Sequence, residues 1–543
     1  MELAPHKLEK EIARRRTFAI ISHPDAGKTT LTEKLLLYGG ALNLAGSVRA
    51  RRNQASTASD WMELEKERGI SVSATVLQFD YAGHVVNLLD TPGHRDFSED
   101  TYRVLTAVDS VVMVIDAAKG IEERTRKLFE ICRLRHIPIF TFINKMDRPA
   151  QDPLTLVDEI EKVLGIGAFP VTWPVGSGQD FRGVYDRLDS QVYLFEQVEH
   201  GKYKAPFSVT GIRDEAFRTR MPAAEYEKWI EEVDILSHAG ENFCEKTVRK
   251  GLITPVFFGS AINNFGVQHL LDYFVRHGAP PAPRNSSAGV IEPMNPAFSG
   301  FVFKVQANMN PRHRDSLAFL RIVSGVFEKD IQVPDPRSGK DIRLAYPQRM
   351  FGQERETVEV AYPGDIVGLV SHGSFRIGDT LTTMDGLQYH EIPRFPPEVF
   401  GYLRNPNPSR FKQFKEGLDQ LLAEGVIQVF HLSDGIRSQP LLGAVGPLQF
   451  DVVQYRLKSE YGSDSRFEPA AFTQIRWLAT GTKRDDLKEM VTGSGVQLAE
   501  DAGGELVVLF PSPWSVEYFT EKNPALGLRK NGSGSTDDHR AVS

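Results

Sequence analysis

A chain of 543 residues is too long for one ordinary domain and implies two to four. Its 41% hydrophobic and 25% charged residues are those of a globular protein, and a net charge of −7 excludes nucleic-acid binding through bulk positive charge. Any RNA contact must come from local clusters such as Arg49, Arg51 and Arg52. Only Cys132 and Cys244 occur, which excludes a disulfide framework and fits a reducing compartment. The start, Met1 to Arg16, is polar and basic without an apolar signal core, and no run of about 18 apolar residues exists. A cytoplasmic protein with no membrane partner is expected.

In chain order, residues 17–22 read as a short apolar strand and 29–37 as a helix. Residues 85–89, 111–115, 137–143 and 255–258 read as further buried strands. Short apolar runs separated by helices predict an α/β, doubly wound parallel sheet with ligand at the strand C-termini. Residues 191–240 are more polar and irregular, as an insertion before the last strand would be. Helical spacing returns at 267–275 and breaks in a Pro/Gly/Ser-rich stretch, 277–289, which reads as a linker. Beyond it, 298–305, 316–323, 357–361, 366–370 and 379–383 are short alternating segments, predicting a small antiparallel β-barrel. After about Pro393 helices return. Phe411, Phe414, Leu418, Leu421 and Leu422 share one helical face, with Gly425 as a C-terminal cap. A strand at 426–432, a helix from Pro447 to Tyr461 before Gly462, and strands at 472–478 and 506–510 complete an α+β domain with βαβ elements. The expected domains are therefore 1–280, a linker 281–297, a barrel 298–390, an α+β domain 391–530 and a polar, disordered tail 531–543.

The first domain carries three motifs in order. Ser22, His23, Pro24, Asp25, Ala26, Gly27, Lys28, Thr29 and Thr30 form a phosphate cradle. Small residues before a helix let successive backbone N–H groups converge on one anion, and the helix dipole favours negative charge there. Lys28 is placed to reach the β- and γ-phosphates, and the Thr29 hydroxyl to ligate Mg²⁺. Ser22 replaces the usual leading glycine, which works if that position avoids left-handed backbone.

Asp90, Thr91, Pro92, Gly93 and His94 follow an apolar strand. Asp90 is expected to reach Mg²⁺ through water, and the Gly93 peptide to turn its N–H toward the γ-phosphate. His94 is expected to project toward the attacking water, whose placement phosphoryl transfer still requires once phosphate charge is neutralised. Asn144, Lys145, Met146 and Asp147 form a base reader. The Asp147 carboxylate accepts from N1–H and the exocyclic amine of guanine, whereas adenine would leave it unpaired. Asn144 either bonds the N7/O6 side or braces the cradle, and the Lys145 stem packs over the ring. Gly259, Ser260 and Ala261 offer backbone N–H groups to guanine O6. Between cradle and sensor, residues 65–72 are charged, then flexible, then apolar, and Ser71 is placed to give Mg²⁺ a second hydroxyl in a loop ordered by GTP and released by GDP. Singly, these are an ordinary turn, a structural histidine and a surface tetrapeptide. In this order they specify a P-loop GTPase domain that uses GTP/GDP and Mg²⁺.

Arg68, Gly69, Ile70 and Ser71, with the sensor and the reader, resemble the signature of the translational GTPases. That resemblance implies that Pro24 and Ile70 flank His94 as a hydrophobic gate, that ribosomal RNA pushes His94 into place, and that Asp25 helps hold a monovalent cation. Residues 312–322 and 453–462 extend the likeness to termination-stage members of that family, over nearly the whole chain to about Arg529. Elongation-type translocases are similar at the start but longer. Gly-Gly-Gln, which release factors that cleave peptidyl-tRNA carry, occurs nowhere here, so no such hydrolase activity is expected. The resemblance implies a ribosome-dependent GTPase that promotes dissociation of codon-reading release factors after peptide release, with the ribosome and those factors as partners. Two rivals are a GTP/GDP-sensing binding module without useful turnover and a translocase. In the barrel, Arg312, Arg314 and Arg321 form a local basic cluster expected to include ribosome contacts.

Overall fold

The computed structural model describes residues 5–40, 71–196, 204–239, 243–307, 316–351, 354–371, 375–389, 395–433, 439–479 and 490–530, with single positions at 392, 481, 482, 487 and 532. At its centre, the strand Arg15–Ser22 pairs in parallel with His84–Asp90 on one side and Ser110–Asp116 on the other. Ile139–Asn144, Ile253–Phe258 and Gly167–Pro170 continue the parallel sheet outward. Both faces are covered, so the strands are apolar without alternation. Ala19, Ile21, Val111 and Met113 pack with Leu128, Phe129 and Leu156 on one face, while Phe18, Ile20, Val112 and Val114 pack with Leu31, Leu35 and Leu270 on the other. The strand Arg15–Ser22 is flanked by both of its crossover partners, and the loops leaving the C-terminal strand ends open the crevice where doubly wound sheets bind ligands.

The described residues of 191–240, 191–196 and 204–239, carry more regular structure than their polarity suggests. Thr172–Val175, Gly183–Asp186, Gln191–Phe195 and Phe207–Gly211 form an antiparallel sheet, and the helix Ala223–Ala239 follows. Large aromatics, Trp173, Phe217 and Trp229, anchor this unit and join its core to that of the parallel sheet. The stretch read as a linker contains the hairpin Arg284–Ser286 with Gly289–Ile291.

The next unit is built on the antiparallel strands Ser299–Ala307, Ser316–Ser324, Ile366–Ser371 and Pro347–Phe351, with Thr380–Thr382 at one edge. Residues 357–361 are two short strands, Glu354–Thr357 and Val360–Ala361, rather than one. Phe351 pairs with Leu77, so the sheet runs on into the first domain. A buried polar network reinforces that seam. Arg321 donates to Asp109 at 2.5 Å and to the Gly364 carbonyl at 2.5 Å, Arg284 lies 3.2 Å from the same Asp109, and Arg15 lies 2.8 Å from Asp365. Arg321 is therefore not a ribosome contact: it is buried, consumed by Asp109. Arg312 and Arg314 lie outside the described residues, as do Arg49, Arg51 and Arg52 and residues 65–70.

In the C-terminal domain the strands Val399–Arg404, Gln428–Leu432, Leu441–Ala444 and Arg466–Pro469 alternate with the helices Phe411–Ala423 and Pro447–Tyr461. Val399–Arg404 pairs antiparallel with both Leu441–Ala444 and Arg466–Pro469, and Gln428–Leu432 pairs with Leu441–Ala444. The two βαβ units are thus split, each parallel pair being separated by an intervening strand. Gln497–Asp501, Leu506–Phe510 and Gln474–Leu478 extend the same sheet. Phe414, Leu418 and Leu421 are buried as the helical period requires, but Phe411, at the first helical position, is 62% exposed. Gly425 and Gly462 adopt left-handed φ of 68° and 64°, the conformation a helix-ending glycine supplies. Of residues 531–543, only Gly532 is described.

Candidate active site

The cradle leaves the central strand at Ser22 and enters the helix Lys28–Tyr38. Ser22 is extended, as the last residue of a strand, so no glycine is needed there. Left-handed backbone falls instead at Asp25 (φ 67°) and Gly27 (φ 95°), which turn the loop around the anion position. A Cβ at Gly27 would also collide with the Asn144 side-chain amide. Lys28 is buried, with its ammonium 2.5 Å from Asp90 Oδ1. Thr29 and Thr30 stand half-buried in the first helical turn, and Pro24 and Asp25 are exposed. His23 is enclosed with neither ring nitrogen hydrogen-bonded, 3.5 Å from the Glu122 carboxylate. Burial drives its pKa down against the pull of Glu122, so the ring is neutral.

Asp90 ends the strand His84–Asp90, and Thr91 donates to the Ile20 carbonyl at 2.6 Å, fixing the sensor to the central strand. A Cβ at Gly93 would meet open space, so sterics demand no glycine in this conformation. His94 caps the short turn Arg95–Phe97: its Nδ1 accepts from the Asp96 N–H at 3.3 Å, and its ring meets Phe97 edge-on at 6.2 Å. Ile70, its expected gate partner, lies outside the described residues. Ser71 lies four residues before the strand Thr75–Tyr81, which pairs antiparallel with the sensor strand, Thr75 opposite Asp90. Two hydroxyls and a carboxylate, as expected from Thr29, Ser71 and Asp90, are hard oxygen donors of the kind that would suit Mg²⁺.

The reader is braced from several sides. Asn144 donates to the Ala26 carbonyl at 2.8 Å and its Oδ1 accepts from Lys145 and Ala261 N–H at 2.8 and 2.9 Å. Of the two roles open to Asn144, bracing the cradle is the one seen. Lys145, at φ 70°, reaches the Asp25 carbonyl at 2.5 Å and Asp116 at 2.7 Å. Burial works against the Asp116 carboxylate, but the Lys145 and Ala118 hydrogen bonds override it and hold its pKa below the usual range. Met146 is fully buried, an apolar pin beneath the loop. Asp147 Oδ1 is buried with no partner among the described residues, the state in which a two-donor base edge would find it. Gly259, Ser260 and Ala261 differ from expectation. Their N–H groups donate to Ile143, Phe265 and Asn144, so guanine O6 would have to share one.

Asp96 and Asp116 adjoin the site and were missed by sequence reasoning. Asp116 could have been found, since it follows the apolar run 111–115 as Asp90 follows 85–89. Asp96 could not, because its partner is in another domain. Its Oδ2 accepts from the Leu448 N–H at 2.8 Å, at the start of the helix Pro447–Tyr461. Around it, Val72 and Phe97 pack with Val452. Arg103 donates to the Gly425 carbonyl at 3.1 Å, and Lys304 of the barrel donates to Ser73 at 2.6 Å. The described end of one segment expected to follow the γ-phosphate, at Val72, and the turn beyond the other, at Asp96 and Phe97, therefore touch the C-terminal domain, and Ser73 touches the barrel.

A cradle, a sensor and a guanine reader on a doubly wound sheet, with a barrel behind, define a guanine-nucleotide GTPase of the translation-factor class. Residues 13–280 match the model of the Elongation factor Tu GTP binding domain, 297–384 that of Elongation factor G domain 2, and 389–520 that of the Class II release factor RF3, C-terminal domain. A relative named peptide chain release factor 3 from Gloeobacter violaceus is 56% identical over 519 residues, covering 96% of this chain and 98% of its own. One of the same name from Synechocystis sp. is 53% identical over 511 residues, 94% and 93% of the two chains. A solved structure from Thermus thermophilus shares the fold, with a TM-score of 0.67 at 22% identity over 90% of this chain and 72% of that one. The chain belongs to the peptide chain release factor 3 family. Among the described residues no helix is long and apolar enough to cross a membrane.

Proposed function

We propose that this translational GTPase binds the post-release ribosome in its GTP form, promotes dissociation of a codon-reading release factor, and leaves after hydrolysis. The observation that carries this reading is the union of a guanine reader and a sensor histidine in a chain 56% identical to a peptide chain release factor 3. Lys28 binds the terminal phosphates, and the backbone from Pro24 to Thr30 wraps them. Thr29, Ser71 and Asp90 hold Mg²⁺, which when bound neutralises phosphate charge. His94 orients the attacking water once it leaves its cap on the Arg95–Phe97 turn. Asp147 selects guanine. The direct test follows a labelled codon-reading release factor on post-release ribosomes. The chain with GTP should accelerate its departure, and an unchanged rate would defeat the proposal.

Base selection has its own check. In Asp147→Asn the carboxamide loses one acceptor and gains a donor, matching the second carbonyl of xanthine in place of the guanine amine. A swing of about 10⁴-fold in GTP-over-XTP preference is expected, as for other sites that read a buried hydrogen-bonding edge. Competition of XTP against a fluorescent GDP measures it, and unaltered GTP preference would remove Asp147 from the reader.

A further inference from the structure

His94 does not point freely into the crevice. It accepts the Asp96 N–H at 3.3 Å and so is held by the turn that Asp96 helps form. The Asp96 carboxylate in turn belongs to the C-terminal domain's helix. Pro447 occupies the first helical position and has no N–H, so Leu448 presents the first unpaired donor of that turn, and Asp96 meets it at 2.8 Å with its charge at the positive end of the dipole. The approach requires a bare backbone opposite: a Cβ on Gly446 would collide with the Asp96 carboxyl carbon. Packing follows the same line, since Phe97, against which the His94 ring lies, is clustered with Val452 of that helix.

A charged side chain of the first domain also acts on the same carboxylate. Arg124, on the helix Glu123–Leu134, has Nε and Nη2 buried without hydrogen-bond partners among the described residues. Burial lowers its pKa to about 10, with the Asp96 charge the chief opposing influence. Two buried guanidinium nitrogens without partners are costly, and the Asp96 charge is the largest influence that offsets their burial.

We propose that Asp96 is a positioning residue: bonded to Leu448 it parks His94 as a turn cap, and drawn off Leu448, toward the charge of Arg124, it frees His94 for the water. Docking of the C-terminal domain thereby restrains hydrolysis until that domain is displaced. The inference rests on the assignment of His94 above, and it adds the element that holds the histidine back.

The test uses the full chain with Mg²⁺ and GTP, measured without and with ribosomes. Gly446→Ala expels the carboxylate from the far side without touching the nucleotide domain, and Asp96→Ala removes it from the near side. Each should raise ribosome-free kcat at least about fivefold, the low end of coupling between distinct sites, with GTP affinity unchanged. Asp96→Asn keeps an acceptor for Leu448 and should stay within about twofold of the parent, a rescue that a merely destabilised turn would not show. The gain must vanish when His94→Ala is added to Gly446→Ala. Parental kcat in both Gly446→Ala and Asp96→Ala, or a gain that survives loss of His94, overturns the inference. Ribosome stimulation of the parent chain, measured in parallel, reports separately on the function proposed above.

Discussion

His94→Ala is expected to bind GTP and GDP as the parent does and to lose nearly all ribosome-stimulated turnover. The ring sits outside the cradle and, among the described residues, is hydrogen-bonded only to its own turn, so its removal takes no contact from Lys28, the helix start or the Asn144 brace. What disappears is the group that orients the water, and in comparable phosphoryl-transfer switches the completed site is worth up to about 10⁵-fold over the incomplete one. His94→Gln separates orientation from acid–base chemistry, because a carboxamide still aligns water through hydrogen bonds. Single-turnover hydrolysis on ribosomes, alongside a nucleotide titration, gives both numbers. Turnover within a few-fold of the parent in His94→Ala would withdraw the catalytic role.

Asp109→Ala is expected to be the most damaging substitution outside the nucleotide site. Asp109 is fully enclosed at the seam between the first domain and the barrel, where it takes Arg321 at 2.5 Å, Arg284 at 3.2 Å and the Ala282 N–H at 3.1 Å. Removing one partner of a buried ionic cluster leaves charge without compensation, which costs about 3–5 kcal/mol. Two guanidiniums are stranded here, so the upper end is expected. Arg321→Met with Asp109→Leu, which removes both charges and fills the volume, should recover much of the loss. Denaturant midpoints compare the variants, and an Asp109→Ala midpoint equal to the parent's would show that water reaches the seam.

The parallel sheet and the nucleotide motifs were legible in the sequence because their causes are local. A strand buried on both faces must be apolar throughout, and an anion-binding loop must place small residues before a helix. The helix Pro447–Tyr461 was readable end to end for the same reason: proline suits its first position and Gly462 its exit. What escaped depends on partners far away in the chain. Arg321 looked like surface charge, yet it is neutralised by an aspartate 212 positions earlier. Phe411 fits the apolar stripe of its helix, but it opens the first turn and among the described residues nothing covers it. Polar composition hid the insertion's order, since a few large aromatics suffice to anchor a small sheet. The Gly259–Ala261 N–H groups were expected to await guanine, yet a loop that must hold its shape without ligand pairs its own donors first.

On the site proposed above, the ion pair between Lys28 and Asp90 would make loading of the crevice a double displacement. Each buried charge already satisfies the other, so phosphate arriving alone would strip Asp90 of its counter-charge, and a divalent cation arriving alone would do the same to Lys28. On the roles proposed above for Lys28 and Asp90, entry of both newcomers as a neutralising couple keeps each charge beside an opposite one, so nucleotide and metal uptake would reinforce each other.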